Sequence, residues 1–121
     1  MADTSELVFA PLGGVGEIGM NLGLYGIGSR RQRTWLMVDL GMSFAGDEAP
    51  GVDLVLPDIR FLESVKDKIA GLILTHGHED HVGALLDLWP KLKCPIYTTR
   101  FTAALLEAKR LQEPGAPKIP I

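Results

Sequence analysis

Residues 71–81 read Gly-Leu-Ile-Leu-Thr-His-Gly-His-Glu-Asp-His. Gly71 to Thr75 is a compact apolar run, which predicts a strand buried on both faces. The six residues that follow, His76 to His81, hold all three histidines of the chain. Imidazole nitrogen and carboxylate oxygen are ligands for zinc and related first-row ions. A loop at the carboxyl end of a strand is where α/β proteins place their sites. Gly77 lets the backbone turn so that His76 and His78 can converge. Asp80 and His81 are adjacent and are expected to point elsewhere. Ligands divided two and two suggest two metals, which in binuclear hydrolases sit about 3.5–4 Å apart. Glu79 reads as a solvated residue rather than a ligand, and Asp87 as part of a polar helix face.

Outward from this loop the pattern is α/β. On the amino-terminal side, Leu7 to Leu12 predicts a strand, with Pro11 placing it near an edge or a strand end. Gly13 to Gly19 reads as a loop. Met20 to Ile27 is apolar but too rich in glycine for a helix, so it predicts a second strand. Thr34 to Leu40 predicts a third, in a hairpin with the second across the basic turn Ser29–Arg33. Gly41 to Pro57 reads as a long loop carrying Asp47, Glu48 and Asp53. Asp58 to Lys68 predicts a short helix capped by Asp58. On the carboxyl side, His81 to Leu92 has helical apolar spacing, with Pro90 near its end. Cys94 to Thr98 predicts a strand and Thr99 to Leu111 a helix, with Glu107 and Arg110 three apart. Residues 112–121 form an irregular, proline-rich tail. Trp35, Trp89 and Cys94 are expected in the core. The order is a β-hairpin followed by strand–helix–strand–helix.

The whole chain bounds the function. It has 121 residues, 46% hydrophobic and 22% charged, which fits one small domain or part of a larger one. A formal net charge of −3 excludes a chain that is basic overall. A single cysteine excludes an intramolecular disulfide framework and fits a reducing, cytoplasmic compartment. No apolar run approaches the roughly 20 residues of a membrane span. Gly14-Val15-Gly16-Glu17-Ile18-Gly19 fits G-x-G-x-x-G, but a dinucleotide site needs a helix beginning at those glycines. Met20 to Ser29 cannot supply it, so no dinucleotide is expected.

His76-Gly77-His78-Glu79-Asp80-His81 matches the HxHxDH motif, and the chain resembles the metallo-β-lactamase superfamily. Three flanking segments narrow the resemblance: Pro11 to Asn21, Val38-Asp39-Leu40-Gly41 and Gly51 to Asp58. They resemble the N-terminal part of the ribonuclease J family, in the β-CASP branch. The resemblance implies the N-terminal half of an αββα sandwich. It implies that His76 and His78 hold one zinc, and Asp80 and His81 a second, with manganese as an alternative ion. Asp80 is also the implied catalytic carboxylate. Asp39 is implied to support the metal loop by hydrogen bonds, and Gly14 and Gly16 to contact substrate phosphate through backbone N–H groups. The implied reaction is metal-dependent hydrolysis of RNA phosphodiesters, internally and from the 5′ end.

The chain departs from the family downstream. It has no histidine after His81 and no aspartate after Asp87, whereas the family uses further ligands there. Residues 1–121 are therefore expected to be a partial domain, inactive alone. An uncovered sheet face is expected to drive self-association. Two alternatives remain: a non-catalytic RNA- or protein-binding module, or another hydrolase of the superfamily.

Overall fold

The computed structural model describes residues 4–44, 51 and 54–121. Asp47, Glu48 and Asp53 lie outside the described residues. A five-stranded sheet runs in the order β1-β2-β3-β6-β7. Its first three strands, β1 (Glu6–Gly13), β2 (Leu22–Ser29) and β3 (Gln32–Val38), form an antiparallel meander. β2 and β3 are joined tightly at Arg30–Arg31, where Ser29 pairs with Gln32. β1 is an edge strand, and its register slips between Pro11 and Gly13, where proline cannot donate to the ladder. A two-stranded ribbon, β4 (Ser43–Phe44) with β5 (Leu54–Val55), lies within the stretch expected to be loop.

The chain then crosses over. α1 (Arg60–Ser64) is one turn, followed by a 3-10 turn at Lys66–Lys68, so the helix expected over 58–68 is shorter than its apolar spacing suggests. The cap is Ile59, with no side-chain cap bond, rather than the expected Asp58, which accepts the Arg60 N–H at 3.0 Å in the turn before the helix. β6 (Ile69–Ile73) adds parallel to β3, and β7 (Ile96–Tyr97) adds parallel to β6. β6 thus lies two residues earlier than predicted, and β7 covers only part of 94–98. α4 (Arg100–Gln112) is capped by the Thr99 hydroxyl, which accepts the Thr102 N–H at 3.2 Å. Glu107 and Arg110 pair along it at 2.6 Å. The chain is irregular beyond Glu113, although Ile119 docks into the core.

One face of the sheet carries the core. Leu22, Leu24, Trp35, Met37, Leu72 and Ile96 are buried there with Leu62, Leu85, Trp89 and Leu106 from the helices. The strand through Gly71–Thr75 is not buried on both faces: Ile73 is exposed, because among the described residues the helices cover only one side. The opposite face presents Leu7, Phe9, Tyr25, Ile27 and Tyr97 to solvent. Phe9 and Tyr25, paired across β1 and β2, lie 5.1 Å apart. No helix among the described residues is long and apolar enough to cross a membrane.

The predicted helix over 81–92 is two pieces, α2 (Glu79–Val82) and α3 (Leu85–Leu92). The break has a cause in the backbone. The Asp80 and His81 carbonyls do not continue a helical ladder. They accept the Asn21 and Leu40 N–H groups, at 3.0 and 2.8 Å. The Ala84 N–H turns away to the Leu40 carbonyl at 3.1 Å. α2 is therefore stitched to the segment that leaves β3.

Candidate metal centre

The loop between β6 and α2 sits at the carboxyl end of β6, beside the carboxyl end of β3. Leu74 N–H still follows the sheet, donating to the Tyr97 carbonyl at 3.0 Å. The chain leaving β3 is held alongside: Asp39 N–H donates to Ile73 O at 2.8 Å, and Met42 N–H to Glu79 O at 3.1 Å. Gly41 lies so close to α2 that a Cβ there would run into the Asp80 carbonyl. On the other side, a Cβ on Gly77 would come within 2.7 Å of Leu105 on α4. The two glycines thus let the loop nest between β3 and α4.

Three donors converge on this loop. His76, Asp80 and His81 each offer a ligand atom, and these atoms lie within 4.8 Å of one another. Of the four expected ligands, His76, Asp80 and His81 come together within this distance, with His78 beside them. The rings of His76 and His81 are 4.0 Å apart, because the turn of α2 brings His81 back under the loop. His78, the residue preceding α2, stands beside the group with its ring 4.7 Å from His76, edge to face. Glu79 points to α4, where its carboxylate meets Lys109 at 2.8 Å. Asp87 is exposed on α3.

Asp39 lies directly beneath. It is buried and adopts a left-handed backbone, φ +66°, a conformation Asp tolerates better than most residues. Its carboxylate accepts the Thr75 N–H at 2.8 Å, the Thr75 hydroxyl at 3.0 Å and His81 Nδ1 at 2.6 Å. A carboxylate can only accept, so Nδ1 of His81 carries a proton, and in the neutral ring Nε2 keeps a lone pair, with the Asn21 amide nitrogen 3.4 Å away. The Thr75 hydroxyl has one proton, given to Asp39. His76 Nδ1 lies 2.9 Å from that hydroxyl, and with the hydroxyl proton on Asp39 it donates to the oxygen and leaves Nε2 as the acceptor. One buried carboxylate and one hydroxyl thereby set both imidazoles in the tautomer that binds metal through Nε2. Asn21 completes the support. Its backbone N–H and its side-chain amide both donate to Asp80 O, each at 3.0 Å.

A divalent ion fits this donor set: two imidazole nitrogens with fixed tautomers and one carboxylate suit zinc, with room for a further ligand. The glycine loop flanks the site. Gly14, Gly16 and Gly19 all have positive φ and no helix starts there, so the G-x-G-x-x-G spacing makes a turn between β1 and β2. Gly14 packs on Asn21, and its N–H donates to Glu17 at 3.1 Å. Asn21, Thr75 and Gly41 were not singled out by the sequence reading. Thr75 directly precedes the first histidine, and Asn21 and Gly41 end two of the flanking segments. Nothing in their type alone marks contacts that span from 36 to 59 residues.

The chain matches the family model of the metallo-beta-lactamase superfamily over residues 27–119. It is 60% identical to "Ribonuclease J" of Sinorhizobium meliloti across the whole chain, covering 22% of that protein. It is 42% identical to "Ribonuclease J" of Helicobacter pylori over 87% of the chain and 15% of the relative. It is 46% identical to "Ribonuclease J" of Mycobacterium tuberculosis over 81% of the chain and 17% of the relative. The chain thus spans between 15% and 22% of the length of these relatives. With its mixed α/β sheet and its cluster at His76, Asp80 and His81, the chain belongs to the metallo-beta-lactamase superfamily and is homologous to ribonuclease J.

Proposed function

We propose that this chain carries part of the metal centre of a ribonuclease that hydrolyses RNA phosphodiesters in the cytoplasm. The observation that supports this best is the convergence of His76, Asp80 and His81 within 4.8 Å, over an Asp39–Thr75 pair that frees both imidazole Nε2 atoms. Zinc, or manganese in its place, would supply Lewis acidity and a water of lowered pKa at this position. His76, Asp80 and His81 hold the first ion, and His78 beside them supplies a ligand toward a second. Asp80, the carboxylate of the cluster, is the catalytic residue. Asp39 positions His81 and the loop. The Gly16 N–H is offered to substrate phosphate, and the Gly14 N–H joins it once the Glu17 carboxylate that now accepts it moves aside. The buried, free Cys94 suits a reducing compartment.

A chimera tests the reading: this chain replaces the aligned segment of the Sinorhizobium meliloti relative. The zinc- or manganese-loaded chimera is expected to cleave 5′-labelled RNA, and His81→Ala to reduce cleavage at least 100-fold. A folded, metal-loaded chimera that leaves RNA intact overturns it. The chain by itself supplies too few ligands for two ions and is expected to cleave RNA barely or not at all. Robust cleavage by the purified chain contradicts that part.

An assembly role is the second reading, favoured by the bare face of Leu7, Phe9, Tyr25, Ile27 and Tyr97. Sedimentation is expected to show self-association that Ile27→Lys weakens. A monomer at all concentrations rejects it.

A further inference from the structure

The chain is acidic overall, yet its cations are distributed unevenly. Four of its twelve Lys and Arg residues are in ion pairs: Arg33 with Glu6, Arg60 with Asp58, Lys109 with Glu79 and Arg110 with Glu107. Among the described residues the other eight have no carboxylate within the 4.0 Å of an ion pair. Six of these, Arg30, Arg31, Lys66, Lys68, Lys91 and Lys93, gather at one end of the fold, and all six are exposed.

The topology places them together. β3, β6 and β7 are parallel, so their amino-terminal ends share one edge of the sheet. Arg30 and Arg31 form the turn just before β3, Lys66 and Lys68 the 3-10 turn before β6, and Lys91 and Lys93 the end of α3 before β7. Lys68 lines an open cleft with Gln32 and Arg33. Lys66, Lys91 and Lys93 line the adjoining cleft. Asp67 lies between the two clefts and Glu63 in the second, so the cations outnumber the carboxylates. The metal loop lies at the other end of the same strands. At about 3.3 Å per strand residue, Lys68 and His76 are roughly 20–25 Å apart.

We propose that this basic pole is a second docking surface, remote from the metal loop, for the phosphate backbone of single-stranded RNA. Unpaired surface cations beside open clefts create a local positive field in a chain of net charge −3, and such fields attract polyanions. The two clefts offer a track rather than a point, which suits a linear chain of phosphates. The choice of RNA rests on the function proposed above; the track itself does not.

The test is anisotropy of a fluorescein-labelled oligouridine with the full chain at low salt, in EDTA so that no metal-dependent step contributes. Neutralising one pair, such as Lys66→Gln with Lys68→Gln, is expected to weaken binding at least threefold. It should also lower the salt slope by roughly 1.4, from two phosphates at about 0.7 each. Arg100→Gln with Lys118→Gln removes the same charge from cations elsewhere and is expected to leave binding unchanged. Equal weakening by both double variants overturns the proposal, since net charge alone would then explain it. Absence of RNA binding by a folded chain overturns it as well. So does binding to phosphatidylserine vesicles or acidic peptides without binding to RNA. Equal affinity for oligothymidine supports a backbone contact. Because cleavage plays no part, failure here leaves the metal-centre reading standing, and failure of the chimera leaves this surface standing.

Discussion

Replacing Asp39 by Asn isolates the electrostatic work of one buried carboxylate. Asn tolerates φ +66°, so the backbone can stay in place. Its amide oxygen can still accept the Thr75 N–H, now 2.8 Å from Asp39 Oδ1. The amide nitrogen then occupies the place of Oδ2, which today accepts from His81 Nδ1 at 2.6 Å. Two donors cannot face each other there. His81 must move its proton to Nε2 so that Nδ1 accepts, and Nε2 ceases to be a ligand. Loss of such support costs about 10–100-fold in metal affinity, or roughly 1.4–2.8 kcal/mol at 1.4 kcal/mol per tenfold. The fold loses a similar amount, about 1–2 kcal/mol, because neutral hydrogen bonds replace bonds made to a charged carboxylate. Competition against a chromophoric zinc chelator reads the affinity, and nitrogen-detected NMR of the ring reads the tautomer. A folded Asp39→Asn variant that binds zinc within twofold of the parent, with the His81 proton still on Nδ1, would refute this reasoning.

Other expectations follow from the same contacts. Gly41→Ala drives a methyl group into the Asp80 carbonyl and should disturb the bonds from Asn21 and Leu40 to α2. It should cost about 2–4 kcal/mol in urea unfolding; a midpoint close to that of the parent would contradict the close approach. Burial pushes the Cys94 thiol up, so the native chain should resist iodoacetamide at mildly alkaline pH and react when unfolded. That burial favours the fold below the unfolded thiol pKa, and the benefit is lost as pH rises through the higher folded value. Arg110 holds the Glu107 carboxyl below its usual range, through a hydrogen bond first and charge second. The stabilisation is present above the ordinary carboxylate pKa and lost as pH falls through the lowered one. Acid should therefore weaken α4 slightly, in a range that Glu107→Gln no longer shows by circular dichroism.

Much of the fold is legible because local signals agree with it. The meander follows from apolar strands punctuated by Gly13–Gly19 and Arg30–Arg31, and α4 follows from the helical run over 99–111 with its Glu107–Arg110 pair. The misreadings come from tertiary bonds. Asn21 and Leu40 capture the carbonyls of Asp80 and His81 and split one predicted helix into α2 and α3. Helical periodicity in 81–92 cannot report partners forty to sixty residues away. Strand Ile69–Ile73 is apolar enough to be buried twice, but burial depends on what lies over each face. At the site, the ligand residue types are visible in the sequence. Their convergence is not, since the approach of His81 to His76 depends on α2 turning back over the Asp39 carboxylate.

The most direct measurement is zinc content per chain by elemental mass spectrometry, after zinc loading and gel filtration at neutral pH. The account predicts at least one retained zinc per chain, with His76→Ala and His81→Ala each lowering retention sharply while the fold persists. A folded parent chain that retains no zinc, or variants that retain as much as the parent, would contradict the claim that this loop is a metal centre.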